Sequence, residues 1–311
     1  MPLGIKPTVD FAFKKIFGSP QNSLALMGLL NAILDLTHPI AAVEIRNPFN
    51  FQEFAESKLI VLDVRCRDST GRWLNVEMQV SLVGGLLQRL VYYACSMYVD
   101  EIGAGESYAT LQPAISICLL NHQVFPGTQA HHRFQLVDVG SGRELTKAIE
   151  VHTVELTKYN LDKRTISGRS KIERWAFLLL FAQEYDANQL KALLPGIEFE
   201  QAIETIETIS LKTEDKHMYD QRERAQRDYE WTLTGAREEG REEGREEGRV
   251  EGRVEGRAEG MEIGKLTGKI QALQELLGDE ISSDSDLVSR SVDSLTTELS
   301  ALQTRLRRRD T

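Results

Sequence analysis

The sequence predicts an α/β fold: a mixed β-sheet core flanked by helices and followed by a helical C-terminal region. Three observations lead there. Between residues 41 and 81, short runs of alternating apolar and polar residues read as strands, and helical apolar spacing lies on either side of them. Residues 114–122, AISICLLNH, are a nearly unbroken apolar run, the pattern of a strand covered on both faces. From residue 170 onward the apolar spacing is helical. Strands interleaved with helices need a sheet with helices packed on it.

Taken in order, residues 10–18, DFAFKKIFG, begin a short helix. Residues 21–36, QNSLALMGLLNAILDL, form a second, with Leu24, Met27, Leu30, Ile33 and Leu34 on its apolar side. Strands follow at 41–46, 57–66 and 73–81, the last ended by Gly84-Gly85. Residues 86–102 are a helix, 114–122 a central strand, and 132–138 and 149–156 further strands. Helices are expected at 170–184, 188–194, 198–210 and 214–235. The expected organisation is one compact domain over 1–210, a helical linker over 211–235, a repeat spacer over 236–268 and a helical segment over 269–311.

Composition excludes several classes. The chain has 311 residues, 41% of them hydrophobic, and no run of about 18 apolar residues that would span a membrane. The N-terminus lacks a basic segment followed by an apolar run, so no secretory signal is read there. Cys66, Cys95 and Cys118 are odd in number, far apart and set in apolar stretches. They read as reduced, buried residues, which suits the cytoplasm, and no pair has metal-binding spacing. A net charge of -10 argues against coating nucleic acid by bulk charge. It leaves room for an enzyme with a local basic groove.

The tail has its own pattern. A glycine recurs every fourth residue from Gly240 to Gly268, and residues 236–264 hold ten Glu and six Arg, a local balance of -4. Each glycine costs a helix about 1 kcal/mol relative to alanine, and Glu-Arg pairs three apart return only tenths. A step of four also drifts about 40° per repeat around a 3.6-residue helix. Two readings stay open: a solvated, partly helical spacer, or a paired glycine-lined helix. Farther on, Val292, Leu295, Leu299, Leu302 and Leu306 step 3, 4, 3, 4, as in a helix that packs on a partner. A homo-oligomer through this C-terminal region is one such arrangement. The basic end, Arg305 to Arg309, suits the negative end of that helix's dipole.

Residues 62–80, LDVRCRDSTGRWLNVEMQV, read as a β-hairpin. With 68–72 in the turn, Arg67 lies opposite Trp73 and Asp63 opposite Glu77. Directly opposed side chains have Cβ atoms about 5 Å apart. Two carboxylates that close repel unless a proton or a cation lies between them. A hard divalent ion such as Mg²⁺ or Mn²⁺ suits oxygen donors of this kind. The plainer alternative is that both acids are solvated, or paired with Arg65 and Arg67. A slip of one residue would remove the pairing.

Asp63, then about a dozen residues, then Glu77-x-Gln79, on adjacent strands before a helix, resembles the PD-(D/E)XK nuclease superfamily. More narrowly, the first 125 residues or so are similar to the recombination-promoting nuclease and transposase-like family within it. The stretches that carry this are DFAFKKIFG (10–18), LLNAIL (29–34), KLIVLDVRCRDSTGRWLNVEMQ (58–79), QRLVYYACSMY (88–98) and GESYATLQPAISICLLN (105–121).

The resemblance implies a restriction-endonuclease-like sheet and metal-dependent endonuclease chemistry on DNA phosphodiesters, with Mg²⁺ or Mn²⁺ as cofactor. It also suggests a role in recombination or in a mobile element. Asp63 and Glu77 would be acidic metal ligands, and the Met78 carbonyl a third donor. Gln79 stands where the superfamily usually has lysine. It can orient a water or a phosphate oxygen but brings no positive charge, which leaves that role to the metal or to Arg89. Asp10 is a candidate for one more acid. Arg89, Lys14 and Lys15 are candidate phosphate contacts. Tyr92 and Tyr93 either reach the nucleic acid or pack on the sheet. The rival function is a nuclease-like domain that binds DNA or a partner without cutting. His122, His131 and His132 match no metal-binding or nuclease pattern and read as structural or surface residues.

Overall fold

A computed structural model describes residues 1–47, 63–80, 84–103 and 105–309, and the chain divides into two compact units, Met1–Glu230 and Trp231–Thr311.

The described residues of the first unit form six strands: β1 (Val43–Ile45), β2 (Asp63–Asp68), β3 (Trp73–Gln79), β4 (Ala114–Leu120), β5 (His131–Val137) and β6 (Glu144–Glu155). Their order in the sheet is β1-β2-β3-β4-β6-β5. The β3–β4 and β4–β6 pairs are parallel and the other three antiparallel. Parallel neighbours need a crossover connection, and helix α3 (Leu86–Val99) supplies it between β3 and β4. The remaining helices of the unit are α1 (Asp10–Phe17), α2 (Ser23–Leu34), α4 (Lys171–Phe181), α5 (Ala187–Leu193), α6 (Ile197–Leu211) and the start of α7 (Thr213–Leu277). This is the mixed-sheet α/β architecture the sequence predicts. Of the strand expected over 57–66, residues 57–62 lie outside the described residues, as does Ser81 of the strand expected over 73–81.

Both sheet faces are covered. On one, Val64, Cys66, Leu74, Val76, Met78 and Ile117 join the main core with residues of α1, α2, α4 and α6. On the other, Leu86, Leu90 and Ala94 of α3 pack on Cys118, Leu120 and Val151. Every residue of β3 from Leu74 to Gln79 is therefore buried, the polar ones included. On α2, Leu30, Ile33 and Leu34 are buried as expected, and the face differs only at the helix's start. Leu24 is exposed and Met27 only half-buried, while Leu26, Leu29, Leu30 and Ile33 are buried. The helix is apolar on so many sides that spacing alone did not select its face. Gly28 shows what does: a Cβ there would lie 2.6 Å from Cβ of Glu198 on α6, so only glycine lets the helices come this close.

Helix α7 contributes its first turns to the first unit. Tyr219 is buried and its hydroxyl accepts a hydrogen bond from Lys6 N at 2.9 Å. In the second unit the repeat is helical and exposed throughout 235–262, with a Glu246–Arg249 ion pair at 2.7 Å. Leu295, Leu299 and Leu302 of α9 (Val292–Arg309) pack on Ile270 of α7 and Leu287 of α8 (Asp284–Val288). The helix expected to need a partner thus finds one within its own chain.

No helix among the described residues is long and apolar enough to cross a membrane. The three cysteines are free, and Cys95 is half-buried rather than buried.

Candidate metal centre on the β2–β3 hairpin

The turn fixes the hairpin. Asp68 Oδ1 accepts from Thr70 N at 2.9 Å, Thr70 Oγ1 at 2.7 Å and Arg72 N at 3.0 Å. Its Oδ2 accepts from Arg72 Nε at 2.7 Å. Burial would raise the Asp68 carboxyl, but the Thr70 and Arg72 hydrogen bonds outweigh it and hold it below its ordinary value. Gly71 takes the left-handed conformation the turn requires, at φ +92°. Arg67 closes over the turn, donating from Nε to Gly71 O at 2.9 Å and pairing with Glu101 at 2.8 Å. A turn held this way sets one register, and in it Arg67 pairs with Trp73 and Asp63 with Glu77, as expected.

The two acids share a face but not an environment. Asp63 is partly exposed, with Arg65 Nε 3.2 Å and Asn47 Nδ2 3.4 Å from Oδ2. Glu77, 7% exposed, lies under α3. Burial pushes its carboxyl above the ordinary value, Arg89 opposes this, and Asp63 adds to it. Arg89 reaches down from α3 and donates to Glu77 Oε1 at 2.6 Å and to Gln79 Oε1 at 2.5 Å. Glu77 Oε2 is buried with no hydrogen-bond partner among the described residues. A buried carboxylate oxygen that lacks a donor, on a residue cross-strand from a second acid, is what a cation would satisfy. The donor set therefore fits a divalent ion held by Asp63 and Glu77. Met78 buries its side chain in the core on the opposite face, which leaves only its carbonyl to offer.

The other expected residues divide. Arg89 joins the pair directly. Tyr92 is 67% exposed and does not pack on the sheet; Tyr93 is half-buried, with the Arg89 guanidinium 6.0 Å from its ring centroid. Lys15 forms an ion pair with Asp215 of α7. Asp10 is buried 3.7 Å from Arg222, and burial raises its carboxyl to about 6 against the pull of Arg222. Among the described residues no three His, Cys, Asp or Glu side chains are placed to hold a metal, so Asp10 does not join the pair.

A second cluster escaped the sequence reading. His131 Nε2 meets His152 Nδ1 at 2.8 Å, and His152 Nε2 bonds Glu150 Oε1. Arg133 and Gln135 donate to Glu150 Oε2 at 2.7 and 3.0 Å. His131, Arg133 and His152 line a cavity of about 530 Å³ with Asp35 and Lys171. Burial, then the neighbouring His152, His132 and Arg133, pushes His131 down to about 4. Alternation along β6 puts His152 on the face away from Glu77 and its neighbours Cys118 and Thr153. Only the period-two pattern of residues 150–154 could have placed His152 and Glu150 on one face, and nothing in the sequence tied them to His131.

A family model described as PD-(D/E)XK nuclease family transposase matches residues 7–236, about three quarters of the chain. Comparison with curated proteins and with solved structures returned no match.

Proposed function

The chain belongs to the PD-(D/E)XK nuclease family of transposases, with the restriction-endonuclease-like α/β sheet of that superfamily, and on that premise we propose that it is a metal-dependent DNA endonuclease. The observation that carries this is the opposed Asp63–Glu77 pair with Glu77 Oε2 left without a donor. Asp63 and Glu77 would hold Mg²⁺ or Mn²⁺, with the Met78 carbonyl completing the protein's donors. Bound there, the ion would polarise the scissile phosphate and lower the pKa of a water. The reaction is hydrolysis: water oxygen bonds to phosphorus, the phosphorus–oxygen bond to the leaving strand breaks, and that oxygen takes a proton. Arg89 contributes positive charge beside the phosphate while fixing Glu77 and Gln79. Tyr92, Lys14 and Lys15 are proposed DNA contacts. The test is plasmid cleavage by the full chain in Mg²⁺ or Mn²⁺ and in EDTA, alongside folded Asp63→Ala. Metal-dependent cutting that Asp63→Ala loses supports the reading; cutting that survives the substitution removes it.

One observation favours the rival. Gln79, in the usual lysine position, has its Oε1 on Arg89. A domain that binds DNA without cutting, with an oligomerising tail, would show DNA affinity and no cleavage in any metal.

A further inference from the structure

The face of the sheet beneath α3 carries more polar side chains than strand formation asks for. The register sets Asn75 beside Ser116, and Glu77 beside Cys118, which neighbours Thr153. Asn75 is 1% exposed, and Ser116 and Thr153 are fully buried. Both amide atoms of Asn75, the Ser116 and Thr153 hydroxyls, Glu77 Oε2 and Arg89 Nε all lack a hydrogen-bond partner among the described residues. On the opposite face the same strands carry Leu74, Val76, Ile115 and Ile117, all buried. Buried orphan groups are uncommon in folded proteins, and those that occur are met by ordered water or an ion. Here they share one sheet face with an unpartnered carboxylate oxygen.

Asn75 lies two residues before Glu77 on the same face and diagonally across from Asp63, a spacing of about 7 Å. In the register, position 75 forms a triangle with positions 63 and 77. Resting on the endonuclease reading, we propose that Asn75, backed by Ser116, is a positioning residue of the metal centre. Its Oδ1 accepts a hydrogen bond from a water in the cation's shell and so orients that water. Gln79 Oε1 is engaged by Arg89, whereas Asn75 Oδ1 has no hydrogen-bond partner among the described residues. Mg²⁺ keeps several of its waters when bound, and groups that hold such outer ligands tune affinity.

Mg²⁺ titration calorimetry and thermal melts of the full-chain parent, Asn75→Leu, Asn75→Asp and Ser116→Ala test this. Leucine is near asparagine in size and removes both orphan atoms, so a merely structural Asn75 predicts a higher Tm and unchanged Mg²⁺ binding. The proposal predicts a Tm at or above the parent's with Mg²⁺ affinity about 10- to 100-fold weaker. Asn75→Asp, which keeps an acceptor oxygen, retains affinity, and Ser116→Ala weakens Mg²⁺ binding without adding bulk. In cleavage, kcat falls in Asn75→Leu while KM for DNA holds. Parent-like Mg²⁺ affinity in Asn75→Leu and Ser116→Ala overturns the proposal alone. A parent that binds neither Mg²⁺ nor Mn²⁺ overturns it together with the endonuclease reading.

Discussion

Replacing Arg89 by methionine should destabilise the metal-free protein and be largely rescued by Mg²⁺. Methionine keeps the stem that packs on the sheet and removes the guanidinium, which lies 2.6 Å from Glu77 Oε1 and 2.5 Å from Gln79 Oε1. Glu77 then lies buried opposite Asp63 with no cation beside it. Removing one partner of a fully buried pair costs about 3–5 kcal/mol. The Arg89 side chain is 32% exposed, so water already screens part of the interaction, and about 2 kcal/mol is the expected loss. In a unit of this size that lowers Tm by about 4–8 °C. In EDTA the variant should show the whole deficit. In Mg²⁺ at about 100 times the variant's Kd, binding adds about 2.7 kcal/mol to the variant's folded state; the parent, whose guanidinium already neutralises Glu77, binds the ion more weakly and gains less. The gap to the parent should then close to under about 1 kcal/mol. Urea unfolding followed by circular dichroism, in EDTA and in Mg²⁺, reads both numbers. A gap of equal size in the two conditions, or no gap in EDTA, refutes the pairing of Arg89 and a cation on one carboxylate.

Two further outcomes follow from the same geometry. Burial opposes ionisation of Glu150, but hydrogen bonds from His152 and Arg133 outweigh it and hold the carboxyl at about 2, against an ordinary 4.5. A carboxyl depressed on folding contributes stability that is full above its unfolded value and lost as pH falls through the folded one, so Glu150→Gln should cost up to about 3 kcal/mol at pH 7. That difference should fade between pH 4.5 and 2, as urea melts across pH would record; a constant difference counts against the cluster. In the second unit, Leu295 is fully buried, so Leu295→Ala should cost about 2–5 kcal/mol. Amide exchange should accelerate in α8, α9 and the end of α7, and leave the sheet of the first unit unchanged; equal acceleration in both would argue against two separate cores.

Most of the architecture was legible because the sequence and the packing say the same thing. Strand alternation and the turn at 68–72 together dictated the Asp63–Glu77 register, and Asp68 enforces it with hydrogen bonds that reach no farther than Arg72. What stayed hidden depended on distant partners. Glu77 and Gln79 read as one polar face of a hairpin, and only the crossover helix makes that face an interior one with Arg89 above it. The orphaned state of Asn75 likewise appears only once Ser116 and α3 are in place. In helix α2 the spacing places Leu30, Ile33 and Leu34 correctly but not Leu24 and Met27, because the apolar residues offer several faces and the close approach at Gly28 chooses among them. Leu295, Leu299 and Leu302 announced a partner, but spacing on one helix cannot say whether the partner is another chain or residue 270 of the same one.

The central claim is that a divalent cation belongs between Asp63 and Glu77. An electron paramagnetic resonance titration of the full chain with Mn²⁺ tests it most directly, using Glu77→Gln and Asp63→Asn as the comparison. The account predicts a bound ion in the parent that both variants, still folded, fail to hold. Mn²⁺ bound as tightly by Glu77→Gln as by the parent would contradict it.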